Sequence, residues 1–323
     1  MRQISSISIT VLVALALAAC GSEGGGGGGG QPAQGGQQAP GQEIKPIASA
    51  KGKSVTVGSK NFDEQFLLGQ IYAQSLEAAG FEVKKELNLG SEQIAFKALK
   101  GGEVDAYPEY TGTALTNFFD VKPADIPKDP DQAYQQAKTE YAKEGITALP
   151  RTKFDNTYVL ASTKKKAQEY GNVKTISELV PKVKGDRLAG FPECRQRADC
   201  LVGLKETYGL DTKFISNDGK YEPIDNDQAD LGLVFATDGE QLQTDKYAFY
   251  EDDKGLFPPY NISLTMSNDA LKTIGPEGQK VIEQVQAPLD DRTMQELNSR
   301  VSIDKQEPEE VATAYLKAAG FVK

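Results

Sequence analysis

Apolar positions divide the chain into three regimes. From Ile4 to Ala19 they run almost without a break behind Met1 and Arg2. That run is too short and too alanine-rich to span a membrane and reads as a secretory leader, residues 1–19. Seven consecutive glycines, Gly24 to Gly30, then give way to Gln, Pro and Ala as far as Gly52. Such a composition cannot offset its ordering entropy, which predicts a flexible tether over 20–52. Beyond residue 53 regular periods return. Ser54–Gly58 reads as a strand, and Phe66, Leu67, Ile71 and Leu76 share one helical face that stops at Gly80. Phe81–Leu87 alternates as a strand. Ser91 is placed to cap a helix carrying Ile94, Ala95, Ala98 and Leu99, and Val104–Tyr107 resumes as a strand. Strand, helix, strand, helix, strand predicts an α/β fold on a mainly parallel sheet.

The later pattern repeats this grammar. Asp120–Pro130 is a loop, Gln132–Glu144 a polar surface helix and Asn156–Ala161 a buried strand. A second βαβ-like stretch passes through Ile176, Leu188–Phe191, Leu201–Gly209 and Leu231–Phe235. Leu256–Tyr260 interrupts it, and a helix-rich tail runs from Ala270 to Lys323.

Composition narrows the chemistry. The 323 residues include 36 Lys+Arg, 46 Asp+Glu, no His, no Trp and 3 Cys. Without histidine there is no Ser-His-Asp or Cys-His nucleophile and no His-ligated metal. A net charge of −10 argues against a nucleic-acid partner. The leader ends in Leu17-Ala-Ala-Cys20, which resembles the bacterial lipobox whose cysteine is acylated; lipid, tether and body describe a protein held at the outer face of the cytoplasmic membrane. Cys194 and Cys200 then lie in an oxidising compartment, and a disulfide between them is expected. The alternative, a metal or redox pair, has no further soft ligand nearby.

Few groups suggest catalysis. Asp63-Glu64, Asp252-Asp253, Asp290-Asp291 and Glu309-Glu310 read as solvated carboxylate pairs, and Lys164-Lys-Lys166 as a wet helix face. The glycine run lacks the Lys-Ser/Thr of a phosphate loop. A binding constellation stands out instead. Gly58–Gln65 joins the first strand to the first helix, where parallel sheets present ligand loops. Pro108–Thr113 follows another strand, and Tyr158 and Tyr260 lie near the two expected domain crossings. Tyr110, Tyr158 and Tyr260 are candidates for an aromatic box.

These segments resemble a known family. Gly-Ser-Lys-Asn-Phe-Asp-Glu-Gln, Tyr-Pro-Glu-Tyr-Thr-Gly-Thr, Asp-Asn-Thr-Tyr-Val-Leu-Ala, Thr-Asp-Gly-Glu and Phe-Pro-Pro-Tyr occur in the order and spacing of osmoprotectant substrate-binding proteins. These are the glycine betaine, choline and proline betaine receptors of ABC importers, of the ProX and OpuC type, and the likeness spans Val55 to the C-terminus. The resemblance implies a two-lobed periplasmic-binding-protein fold (type II) with the ligand in the interdomain cleft. One lobe would comprise 53–154 plus 259–323 and the other 155–258. Tyr110, Tyr158 and Tyr260 match the family's cage tyrosines. Phe235 stands where relatives often carry a tyrosine, keeping the π face and losing the hydroxyl. Lys60, Thr113 and Arg197 match positions that bind a betaine carboxylate, and Asn156 one whose backbone approaches the cation. Lys60 and Arg197 favour a betaine over choline. The Cys194–Cys200 bridge would stiffen the loop that carries Arg197. Asp63 and Gln65 are expected to cap the first helix rather than touch ligand.

The implied protein is a monomeric receptor, not an enzyme, needing no cofactor or metal. Its partners are a quaternary ammonium ligand and the ABC permease, with the membrane reached only through lipid. Within this class, choline or a larger solute is the alternative to glycine betaine. A two-lobed enzyme would need a visible base or cofactor motif, and a lipid-anchored adhesion module would need neither cage nor Lys60 and Arg197.

Overall fold

The computed structural model describes residues 42–323; the leader, Cys20 and most of the expected tether lie outside them. The tether was expected to reach Gly52, yet the ordered body starts earlier. Ile44 and Ala50 are buried, Ile44 N donates to Phe321 O at 2.9 Å, and Ile47 N donates to Ala79 O at 2.8 Å. Ile44, Ile47 and Ala50 offer what the glycine run lacks, surface worth burying.

The first segment contributes β1 (Ser54–Gly58), α1 (Asp63–Ala78), β2 (Glu82–Glu86), α2 (Glu92–Gly101), β3 (Ala106–Tyr110), α3 (Thr111–Asn117), α4 (Pro130–Lys143) and β4 (Ile146–Ala148). The second holds β5 (Tyr158–Thr163), α5 (Lys164–Glu169), α6 (Ile176–Leu179), β6 (Arg187–Gly190), α7 (Leu201–Tyr208), β7 (Lys213–Ser216), α8 (Glu222–Asp225), β8 (Leu231–Phe235) and β9 (Tyr247–Tyr250). The chain then returns as β10 (Ile262–Ser267), α9 (Asn268–Gln286), α10 (Asp291–Ser302) and α11 (Pro308–Ala318). None of the helices among the described residues is long and apolar enough to cross a membrane.

Two five-stranded sheets result, ordered β2-β1-β3-β10-β4 and β7-β6-β8-β5-β9. Each is mixed rather than mainly parallel. β1 runs parallel to β2 and β3, and β6 parallel to β7 and β8, as their helical crossovers dictate. β10 is antiparallel to β3 and β4, and β5 to β8 and β9. Both antiparallel strands, β5 and β10, are the ones that enter a sheet straight from a crossing between the two. A direct crossing supplies no helical return to restore the direction. Val55, Val57, Leu67, Ile71 and Leu76 form the core around β1 and α1, with α9 and α11 covering it.

Candidate functional site

The crossings place the expected residues around one cavity. Tyr158 begins β5 and lies directly opposite Phe235, which ends β8. Tyr110 ends β3 and is the N-cap of α3, and Tyr260 stands at the end of the return crossing, just before β10. A glycine makes this assembly possible. A Cβ on Gly112 would lie 2.8 Å from Tyr260 Cε1 and 2.9 Å from Pro259 O, so only glycine lets the return crossing close onto α3.

The cavity measures about 270 Å³, and all eight expected residues line it: Lys60, Tyr110, Thr113, Asn156, Tyr158, Arg197, Phe235 and Tyr260. Tyr158 is the hub, with ring centroids 5.1 Å from Tyr260, 5.3 Å from Phe235 and 5.9 Å from Phe191. Phe62 stacks on both Tyr110 and Phe235, at 6.1 and 6.4 Å. Phe62 and Phe191 also line the cavity and were not anticipated. Each occupies the N-cap of a helix (Phe62 before α1, Phe191 before a 3-10 turn), and an isolated aromatic there carries no periodicity to single it out.

Every cation at the site is already engaged. Lys60 Nζ donates to Glu109 Oε1 at 2.5 Å and lies 4.3 Å from the Tyr110 ring centroid. Glu109 also accepts from Tyr107 Oη and the Tyr110 amide. Arg197 forks onto Asp199 with Nε at 2.8 Å and Nη2 at 2.6 Å, and Nη1 reaches Glu92 at 3.3 Å. Its guanidinium stands 5.7 Å from the Tyr158 centroid. Burial opposes charge on both partners, but their attraction outweighs it, holding the Asp199 carboxyl below its ordinary range and Arg197 above its own. Lys220, a further unanticipated lining residue, pairs with Asp238 and sits 5.2 Å from the Phe235 centroid.

A disulfide joins Cys194 to Cys200, as expected. The loop it closes reaches across to the first sheet's side. Arg197 Nη2 lies 3.4 Å from Thr113 Oγ1, Thr116 Oγ1 donates to Asp199 at 3.0 Å, and Tyr260 Oη donates to the same carboxylate at 2.7 Å. A Cβ on Gly203 would lie 2.2 Å from Ala198 O, so α7 packs hard against the loop.

Two sequence readings change. Glu64, read as half of a solvated pair, is buried and accepts four hydrogen bonds, whereas its neighbour Asp63 is exposed. One helical step of about 100° points the two away from each other. Gln65 does not cap α1, whose N-cap Phe62 makes no side-chain cap bond. Its Oε1 instead accepts from Lys60 N at 3.2 Å, steadying the loop.

Residues 53–318 match the model of the substrate binding domain of ABC-type glycine betaine transport systems. The chain is 32% identical to the glycine-betaine-binding protein of Pseudomonas aeruginosa, over 83% of this chain and 88% of that one. It is 28% identical to the carnitine transport binding protein of Listeria monocytogenes, over 83% and 87%. A crystal structure of a glycine betaine/carnitine/choline ABC transporter superposes with a TM-score of 0.67 at 26% identity, covering 81% of this chain and 97% of the other. This chain therefore belongs to the family of substrate-binding domains of ABC-type glycine betaine transport systems.

Proposed function

We propose that the protein is the extracytoplasmic receptor of an ABC importer, capturing a quaternary ammonium solute, glycine betaine first, and passing it to the permease without chemical change. The carrying observation is the convergence of Tyr110, Tyr158, Tyr260 and Phe235 with Lys60, Thr113, Arg197 and Asn156 on one cavity. A trimethylammonium group has no N–H to donate and is weakly hydrated, so aromatic faces hold it at about 0.5–2 kcal/mol each. Arg197, Lys60 and Thr113 supply donors for a carboxylate at the other end. Residues 53–154 with 259–323 would form one lobe and 155–258 the other. Closure would draw the disulfide loop, with Arg197 and Asp199, over the ligand. Export and an acylated Cys20 would hold the receptor at the membrane's outer face.

A second reading has its own support. Phe62, Phe191 and Lys220 extend the lining beyond the four-ring cage, which suits a larger quaternary ammonium such as carnitine. Calorimetric titration and thermal shifts with glycine betaine, choline, carnitine, proline betaine and ectoine separate these readings. Stabilisation by none of the quaternary ammonium compounds refutes both.

A further inference from the structure

Glu64 differs from every other buried carboxylate around the site; Glu193 and Asp218, which also line the cavity without an ion pair among the described residues, are exposed. Glu109 faces Lys60, Asp199 and Glu92 share Arg197, and Asp238 faces Lys220. Glu64 is 5% exposed and forms no ion pair among the described residues. Its partners are neutral donors. Tyr110 Oη and Asn156 Nδ2 each donate to Oε1 at 2.8 Å, while Thr237 Oγ1 and Asn298 Nδ2 donate to Oε2 at 2.5 and 2.7 Å. Two of these four donors, Tyr110 and Asn156, line the cavity. A carboxylate accepts all four of these bonds; burial pushes the Glu64 carboxyl up, while the bonds from Thr237, Tyr110 and Asn298 favour the charged form. A buried charge without a counter-ion is costly and is normally paired. A cation bound in the cavity would supply the partner that this carboxyl lacks.

We propose that Glu64 is the receptor's counter-charge for the ligand cation, acting through Tyr110 and Asn156 and setting the preference for a charged head group over a neutral one of the same shape. The proposal rests on the quaternary ammonium reading above. A phenol that donates to a carboxylate carries more electron density on its ring, which strengthens its hold on a cation. The carboxylate also attracts the cation directly through a medium of low dielectric. Glu64 touches the ligand in neither case. It is a positioning and specificity residue.

The test compares each ligand with its carbon isostere, in which a tert-butyl group replaces trimethylammonium: glycine betaine against its tert-butyl acid, choline against its tert-butyl alcohol. Shape and the polar end are unchanged within each pair. Glu64→Gln is tolerated sterically. Its new amide, placed on the Oε1 side, can donate to the Tyr110 hydroxyl, and Asn156 can turn its amide, whose Oδ1 has no partner among the described residues. Calorimetric titration of Glu64→Gln should show the charged-to-neutral affinity ratio falling about tenfold, with the neutral isosteres moving less than about twofold. Tyr110→Phe, which cuts the link while leaving the carboxylate, should lower the same ratio, and it carries the test should Glu64→Gln fail to fold. Equal loss for charged and neutral ligands overturns the proposal, because a merely structural residue would weaken both alike. An unchanged ratio overturns it too. Failure of the wild-type protein to bind any quaternary ammonium compound overturns the functional reading instead.

Discussion

Replacing Tyr158 by leucine separates the aromatic face from simple apolar bulk at the centre of the cage. Tyr158 touches more of the other rings than any neighbour does, meeting Tyr260, Phe235, Phe191 and Phe257 at centroid distances between 5.1 and 5.9 Å. Leucine retains most of the packing volume, so unliganded stability should fall by no more than about 2 kcal/mol. The lost π face removes about 1–2 kcal/mol from cation binding, which weakens Kd about 5- to 30-fold. Ligand linkage makes this visible in melting. At a hundred times its Kd, ligand stabilises the wild-type protein by about 2.7 kcal/mol, and a tenfold weaker variant at the same concentration keeps about 1.4 kcal/mol. Titration calorimetry gives Kd directly, and melts with and without glycine betaine give the linkage independently. If Tyr158→Leu binds glycine betaine within about twofold of wild type, the cage reasoning is refuted.

Three further outcomes are expected. Lys60→Met strands the buried Glu109 carboxylate and should destabilise the fold by about 3–5 kcal/mol in urea titration. Adding Glu109→Gln should recover most of that loss while glycine betaine binding stays weakened more than choline binding, and equal weakening would remove Lys60 from carboxylate recognition. Breaking the disulfide with Cys194→Ser/Cys200→Ser releases a short loop worth about 2 kcal/mol of chain entropy; betaine affinity should fall several-fold as Arg197 loses its orientation, and unchanged affinity would show that the bridge does not preorganise the site. Asp155 lies on the first crossing, accepts from Tyr260 N at 2.8 Å, and is pushed up to about 6, mainly by burial and also by Asp291, with Arg151 opposing. Its folded pKa exceeds the unfolded one, so its contribution to stability is full below the ordinary carboxylate range and disappears as pH rises through about 6. Asp155→Asn should therefore gain stability over wild type at pH above about 6, with the gain shrinking toward about pH 4; a pH-independent difference in melting would refute that assignment.

What could be read from the sequence followed from local rules. Tyr110, Tyr158 and Tyr260 were legible because motifs at strand ends place residues where sheets present ligands, and Cys194 and Cys200 because export implies oxidation. Residues whose role depends on what lands against them were not legible. Glu64 sits beside Asp63 in an ordinary acidic helix start, and it is buried by four segments distant in sequence, which bring Tyr110, Asn156, Thr237 and Asn298 onto it. Glu92, next to Ser91 at the start of α2, carries no local signal of its role, yet it meets Arg197 from a loop 105 positions away. The sheet orientation was missed for a related reason. β10 has a buried strand composition, but its direction is set by the crossing that precedes it, which is long-range information.

The charge arrangement bears on which end of a zwitterion holds it. Lys60 and Glu109 together are neutral, while Arg197 serves both Asp199 and Glu92 and so sits in a cluster of net negative charge. A ligand carboxylate entering here meets donors whose charge is already compensated. It must share them with Asp199 and Glu92, so its gain is directed hydrogen bonding more than net attraction. On the proposed reading the cation meets the opposite situation: six aromatic rings and, behind Tyr110, the buried Glu64 carboxyl, which forms no ion pair among the described residues. Affinity should therefore follow the head group, and the carboxylate should adjust it. On that basis choline, which keeps the cation and replaces the carboxylate by a hydroxyl, should bind within about two orders of magnitude of glycine betaine, the span of one or two charge-assisted hydrogen bonds. The tert-butyl isostere of glycine betaine should bind more weakly than either. If that isostere outbinds choline, the carboxylate end dominates and the compensated cations hold more attraction than their partners imply.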